Sequence, residues 1–275
     1  MRIGVLGPLH AELDGVDVVP TADKKRRILA LLALHPGRLV PVADLAHEVW
    51  GPCPPRSAHN TLQTYVLRLR RDLAAAHGGP EGPARARALL ATGHGGYLLR
   101  IDPGDVDAHA FTAAARTGHA AFAAGDPAGA ARELGRALAL WRGPALVDLA
   151  GSPGLRIRAA ALEEERLLAL ERRLDAELRL GRHDELLPEL VELTGLHPTN
   201  ERLHSQAMVA FHRAGRSAVA LELYRELRRR LVGDLGLEPS IRLQRLHRAV
   251  LTLDPRLEEL AHGGRPTPTF DLYAA

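Results

Sequence analysis

The 275 residues, 46% apolar and 25% charged, are too many for one small domain and suit one large or two ordinary ones. One cysteine, Cys53, excludes a disulfide framework and fits a reducing cytoplasm; no apolar run long enough for a signal peptide or a membrane span occurs. The formal charge of +3 is uneven: residues 1–101 hold 13 Lys+Arg against 8 Asp+Glu, and residues 102–275 hold 23 against 25, so a polyanion would meet the N-terminal part.

Residues 1–20 alternate and turn, with Asp14-Gly15 between short β-rich runs, a hairpin signal. Asp23 is placed to cap a helix running from Lys24 to about His35, which Pro36-Gly37 ends. Pro41-Val42 opens a second helix that ends at Trp50-Gly51. The loop Gly51-Pro52-Cys53-Pro54-Pro55 is too rigid and too poor in donors for a helix or a central strand. A longer helix follows and stops near Gly78-Gly79-Pro80. After a linker, residues 88–101 read as strand, glycine turn, strand. Strands, three helices and a hairpin are the plan of a winged helix-turn-helix, in which the third helix reads the major groove and the hairpin is the wing.

The third helix is the most informative stretch. Leu62, Val66, Leu69 and Leu73, spaced 4, 3 and 4, form an apolar back. The opposite stripe carries Ser57, Asn60, Thr64, Leu67, Arg68 and Arg71. Asn and Arg bond bidentately to base edges or phosphates, and an exposed Leu meets a thymine methyl. Arg56, at the start of this stretch, joins the DNA-binding set. Lys24 and Lys25, the only lysines beside 34 arginines, sit at a helix start, where they either bind phosphate or are simply solvated. His94 falls at the wing tip, as a backbone contact or as an ordinary turn residue, and the adjacent glycines let the backbone approach phosphates.

From about Asp105 to Pro255 the pattern is wholly helical. Breaks come at Gly125, Gly181 and Gly215, each followed five residues on by an apolar residue: Ala130, Leu186 or Ala220. Gly181 to Gly215 is 34 residues, the tetratricopeptide period; Gly125 to Gly181 is 56, one period plus an insertion around Trp141-Arg142-Gly143-Pro144. Such hairpins bury their apolar faces against neighbours. Pro188 predicts a kink or a late helix start, and the Gly/Pro/Thr-rich stretch His262–Ala275 predicts a flexible tail, taken as residues 256–275. Trp50 and Trp141 read as core anchors at helix ends. The fold class is therefore mainly α with small β elements: a winged helix-turn-helix over 1–101 and an all-α tetratricopeptide-like domain over 105–255.

No zinc spacing, phosphate-cradling Gly-x-x-x-x-Gly-Lys motif or nucleophile elbow occurs, so neither a metal, a cofactor nor an enzyme activity is expected. The charge ladders Glu163–Arg166 and Glu171–Arg173 suit a solvated helix face.

Taken together, Leu6-Gly7-Pro8-Leu9, Lys25-Arg26-Arg27-Ile28, Val49-Trp50-Gly51, Thr61–Arg70, Gly95-Gly96-Tyr97-Leu98-Leu99, Leu140-Trp141-Arg142-Gly143-Pro144 and Leu235-Gly236-Leu237-Glu238-Pro239 resemble the Streptomyces antibiotic regulatory protein family. Its members join an OmpR-type winged helix, a two-component-like output domain, to a bacterial transcriptional activation domain. The resemblance covers nearly the whole chain. It implies a cytoplasmic, nucleoid-associated transcriptional activator of a secondary-metabolite (antibiotic) cluster, bound to direct repeats of double-stranded promoter DNA as a homodimer. Arg68 and Arg70 match the Arg-Leu-Arg of the family's reading helix; on the angular count Arg70 lies at the flank and is expected on a phosphate. Gly51, Pro52, Pro54 and Pro55 match the loop that contacts RNA polymerase holoenzyme in related winged helices. A repressor of the same architecture, or a helical-repeat interaction module without DNA binding, are the alternatives.

Overall fold

The computed structural model describes residues 1–149, 151, 153–255 and 257. Most of the predicted tail therefore lies outside the described residues. Two compact units form, and each is built from two stretches of chain: residues 1–114 with 137–166, and residues 115–136 with 167 onward.

The first unit opens with an antiparallel sheet, β1 (Arg2–Gly4), β2 (His10–Leu13) and β3 (Val16–Asp17), in that order. The two residues between β2 and β3, Asp14 and Gly15, have φ of 52° and 83°, the pair of positive values that a type I′ hairpin turn requires. Next come α1 (Asp23–Ala33), β4 (Val40–Pro41), α2 (Val42–Trp50), α3 (Ala58–His77), α4 (Gly82–Leu89), β5 (Leu90–Gly93) and β6 (Gly96–Leu99). The second sheet has the order β4-β6-β5, with β5 and β6 in register from Leu90↔Leu99 to Gly93↔Gly96. Three details differ from the sequence reading. Asp23 is the first helical residue of α1 and Ala22 is its N-cap. A fourth helix, α4, occupies the expected linker; and β4, too short to leave a pattern, adds a strand to the wing hairpin.

α3 has no side-chain N-cap, so packing rather than capping must hold it. Leu62, Val66, Leu69 and Leu73 are each 3% exposed or less. At about 1.5–3 kcal/mol per fully buried side chain, these four anchor the helix against the unit's core. Trp50 at the end of α2 stacks on Tyr65 of α3, with ring centroids 6.3 Å apart.

The rest of the first unit is the start of α5 (Asp107–Ala123), the segment 137–149 and the start of α7 (Pro153–Arg179). Here two motif pieces meet. The Asp107 carboxylate accepts from the backbone N–H groups of Val5 (2.7 Å) and Leu6 (3.1 Å). The Arg142 N–H donates to the Leu6 carbonyl at 2.8 Å, and its guanidinium reaches the Pro8 carbonyl and Asp107. Leu146 N–H donates to Val5 and Gly7, while Asp148 accepts from Leu9 N–H. The segment after β1 has no sheet partner of its own, and these bonds satisfy its backbone. Trp141 meets Phe111 edge-on at 5.4 Å under the Arg166 guanidinium.

The second unit holds the remainder of α5, α6 (Pro127–Leu138, to residue 136), α7 from Leu167, α8 (His183–Leu196), α9 (Glu201–Arg213), α10 (Ser217–Leu235) and α11 (Ile241–Leu251). Gly125, Gly181 and Gly215 end their helices with φ of 79°, 76° and 73°, the left-handed stop that glycine makes without strain. Ala130, Leu186 and Ala220, five residues later, are all at most 5% exposed. The helix α8 continues through Pro188, and α10 continues through Gly233. Asn200 caps α9 by accepting from the N–H groups of Arg202 and Leu203, and its amide donates to Glu171. Asp175, fully buried, is satisfied by Arg202 and Gln206.

Candidate nucleic-acid interface

With its apolar row buried, α3 turns the other stripe outward. Ser57, Asn60, Thr64, Leu67, Arg68 and Arg71 are all exposed, as is Arg56 ahead of the helix. Leu67 is 48% exposed, one of several apolar side chains that the chain leaves at its surface. Among the described residues, Arg56, Arg68 and Arg71 make no hydrogen bond or ion pair within the chain, so their guanidinium donors remain for a ligand. The Thr64 hydroxyl donates back to the Asn60 carbonyl at 3.1 Å, leaving its oxygen as acceptor and its methyl as an apolar contact. Sequence reasoning passed over Gln63. Its exposed amide lies 3.1 Å from the His59 ring on the same edge of the helix, and a held Gln amide suits an adenine edge. The signal was available, since Gln63 borders the polar stripe.

Arg70 sits differently. Half-buried, it donates from Nε to the Leu90 carbonyl at 2.9 Å and from Nη2 to the Thr92 hydroxyl at 2.7 Å, both on β5. Burial pulls its pKa below the ordinary arginine value, with Tyr97 opposing and Arg87 adding to the shift. The guanidinium expected on a phosphate is engaged in holding the wing to the reading helix.

The lysines are likewise engaged within the chain. Lys25 pairs with Asp72 of α3 at 3.2 Å, and the Lys24 ammonium lies over the Trp50 ring, 5.2 Å from its centroid. Arg26 pairs with Asp148 and Arg27 with Asp23. Lys24, Lys25 and Arg26 thus brace α1 against its neighbours, while the Arg27 pair stays within the helix.

His94 is exposed at the tip between β5 and β6. The tip glycines answer to the protein itself: Gly95 has φ of 76°, and a Cβ on Gly96 would stand 2.3 Å from the Val40 carbonyl oxygen. Residues Pro52–Pro55, Cys53 among them, are exposed, and Gly51, with φ of 76°, ends α2 and swings the chain into that loop.

Residues 17–97 match the family described as "Transcriptional regulatory protein, C terminal", and residues 106–251 match "Bacterial transcriptional activator domain". The chain is 47% identical over 262 residues to the regulatory protein DnrI of Streptomyces peucetius, covering 94% of each. The chain belongs to the Streptomyces antibiotic regulatory protein family. It is 38% identical to the transcriptional regulator RedD of Streptomyces coelicolor, covering 94% of this chain and 72% of that one. The structure of Mycobacterium tuberculosis EmbR, in complex with a low-affinity phosphopeptide, superposes with a TM-score of 0.85 at 34% identity, covering 94% of this chain and 68% of that one. As a member of this family the chain is a DNA-binding transcriptional regulator of the activator type, a winged helix joined to a helical activation domain. No helix among the described residues is long and apolar enough to cross a membrane.

Proposed function

We propose that this family member activates a secondary-metabolite gene cluster by binding direct repeats at its promoters and recruiting RNA polymerase. The observation that carries the reading is the outward row of α3, where Asn60, Thr64, Leu67, Arg68 and Arg71 lie together on a helix whose opposite face is fully buried. Laid in the major groove, Asn60, Arg68 and Gln63 reach base edges, Leu67 meets a thymine methyl, and Arg56, Ser57 and Arg71 hold phosphates. The wing tip with His94 then lies over the adjacent backbone or minor groove.

Two copies arranged head to tail on direct repeats place equivalent reading helices about one helical turn, roughly 10–11 base pairs, apart. The loop Gly51–Pro55, proline-rich and exposed over Pro52–Pro55, joins α2 to α3, which suits a polymerase contact. The protein acts where the chromosome is, in the cytoplasm on the nucleoid.

Footprinting the upstream regions of its neighbouring genes, followed by transcription with RNA polymerase holoenzyme, tests the reading. Protected direct repeats and raised transcript are expected. With six to ten phosphate contacts, affinity falls about 10³–10⁵-fold between roughly 50 and 200 mM salt. Protection with lowered transcript would make the protein a repressor, and no protection at any salt would leave a protein-interaction module.

A further inference from the structure

We infer that the groove between α10 and α11 is a docking site for an acidic amphipathic helix of a partner protein. The groove has a volume of about 670 Å³ and lies wholly within the second unit. Its floor is apolar: the Tyr224 and His247 rings stack at 3.9 Å and 12°, flanked by Val232 and Leu251, which are 44% and 54% exposed. Its rim is basic, with Arg225, Arg228 and Arg229 at its edge.

The charge here runs against the rest of this half of the chain. Residues 225–248 hold seven arginines against three acidic residues, whereas residues 102–275 as a whole hold 23 basic against 25 acidic; Arg225, Arg228 and Arg229 are the three of the seven that line the groove. The rim arginines pair with Glu222, Glu238 and Glu226, but both members of each pair are substantially exposed. The Arg225 and Arg229 pairs are of the exposed kind that contributes little, so a partner's carboxylates exchange into them at low cost, whereas Arg228 holds Glu238 through two bonds of 2.8 Å.

Gly233 is a second, independent pointer. It lies inside α10, where glycine weakens a helix relative to alanine, and a Cβ built there meets nothing within 4 Å. Among the described residues nothing packs against that position. Its effect is to leave the groove floor open.

An apolar floor within a basic rim fits a helix that presents leucine-like side chains at i, i+3, i+4 and i+7 with carboxylates on either side. A duplex offers phosphates but nothing to fill the floor. A second copy of this face would set arginine row against arginine row across a two-fold axis.

The test uses the full chain without DNA and a fluorescein-labelled synthetic helix with Leu at those positions and Glu at the flanks, read by fluorescence anisotropy. Binding that weakens with salt is expected. It should fall about tenfold or more with Arg225→Glu plus Arg228→Glu, and equally with a Glu→Gln version of the peptide. Gly233→Leu should block binding while leaving the melting temperature equal or higher, since leucine favours helix. Arg68→Ala should leave peptide binding unchanged, which separates this surface from the DNA-reading one. The inference is overturned if the peptide does not bind, if Gly233→Leu binds it normally, or if a Leu→Ala peptide binds as well. Dimerisation through this face, or displacement of the peptide by duplex DNA, would overturn it too.

Discussion

Replacing Arg70 by alanine separates two roles that the same residue type plays on one helix. As placed, Arg70 gives two hydrogen bonds from a charged group to β5, at 2.9 and 2.7 Å. Bonds from charged donors are each worth about 1.5–3 kcal/mol, and partial exposure lowers that, so Arg70→Ala should cost about 1–3 kcal/mol of stability in urea unfolding. On DNA it should loosen the wing: hydroxyl-radical protection under the hairpin fades while protection under α3 stays. The slope of log affinity against log salt should not change, because no phosphate loses its partner. Arg71→Ala should do the reverse, keeping stability and lowering the magnitude of that slope by about 0.9. Thr92→Val should reproduce part of the Arg70 effect, and Arg70→Lys should not rescue it, since an ammonium cannot span both acceptors. A lowered slope with unchanged stability in Arg70→Ala would refute the positioning role and restore the phosphate contact.

Arg68→Ala should weaken specific binding by about 1–3 kcal/mol and relax specificity at one base pair; uniform weakening on all sequences, measured by competition, would make it a phosphate clamp. Gly96→Ala should destabilise the first unit by about 1–3 kcal/mol in thermal melts, because the new methyl meets the Val40 carbonyl. Asp107→Ala should cost roughly 2–4 kcal/mol, since it leaves the Val5 and Leu6 N–H groups without their acceptor. Burial pushes the His204 imidazole below its ordinary value of 6.5, the Asn200 carbonyl opposing and Arg230 adding to the shift. The unfolded chain therefore takes up that proton first, so stability is full above pH 6.5 and falls as pH drops below it. His204→Gln should flatten that part of the melting-temperature profile, and an unchanged slope would discount this histidine.

Periodicity carried the elements that bury a stripe. The 4-3-4 spacing of α3 found the four side chains that are now the most deeply packed on that helix, and Asp14-Gly15 announced a turn needing two positive φ values. The glycine-plus-five pattern found the helical hairpins because a left-handed stop and a buried early residue are both local demands. α4 escaped notice because its buried residues are only Gly82 and Ala86, too small to mark a stripe. β4 is two residues long and exists through its pairing with β6. At the interface, exposure was legible from the helix angle, but engagement was not. Lys25 meets an acid 47 residues away, and Arg70 meets a strand 20 residues on, and nothing in either residue's own neighbourhood names those partners.

The interlock of residues 5–9 with Asp107 and residues 142–148 bears on how such regulators could be reassembled. A gene fusion or laboratory chimaera that swaps the reading head at the apparent seam after residue 101 would strand one half of this clasp in each parent. Exchange of DNA specificity is therefore easiest by grafting the surface of α3 alone, because a longer cassette that kept the clasp whole would carry off residues 115–136, which belong to the other unit.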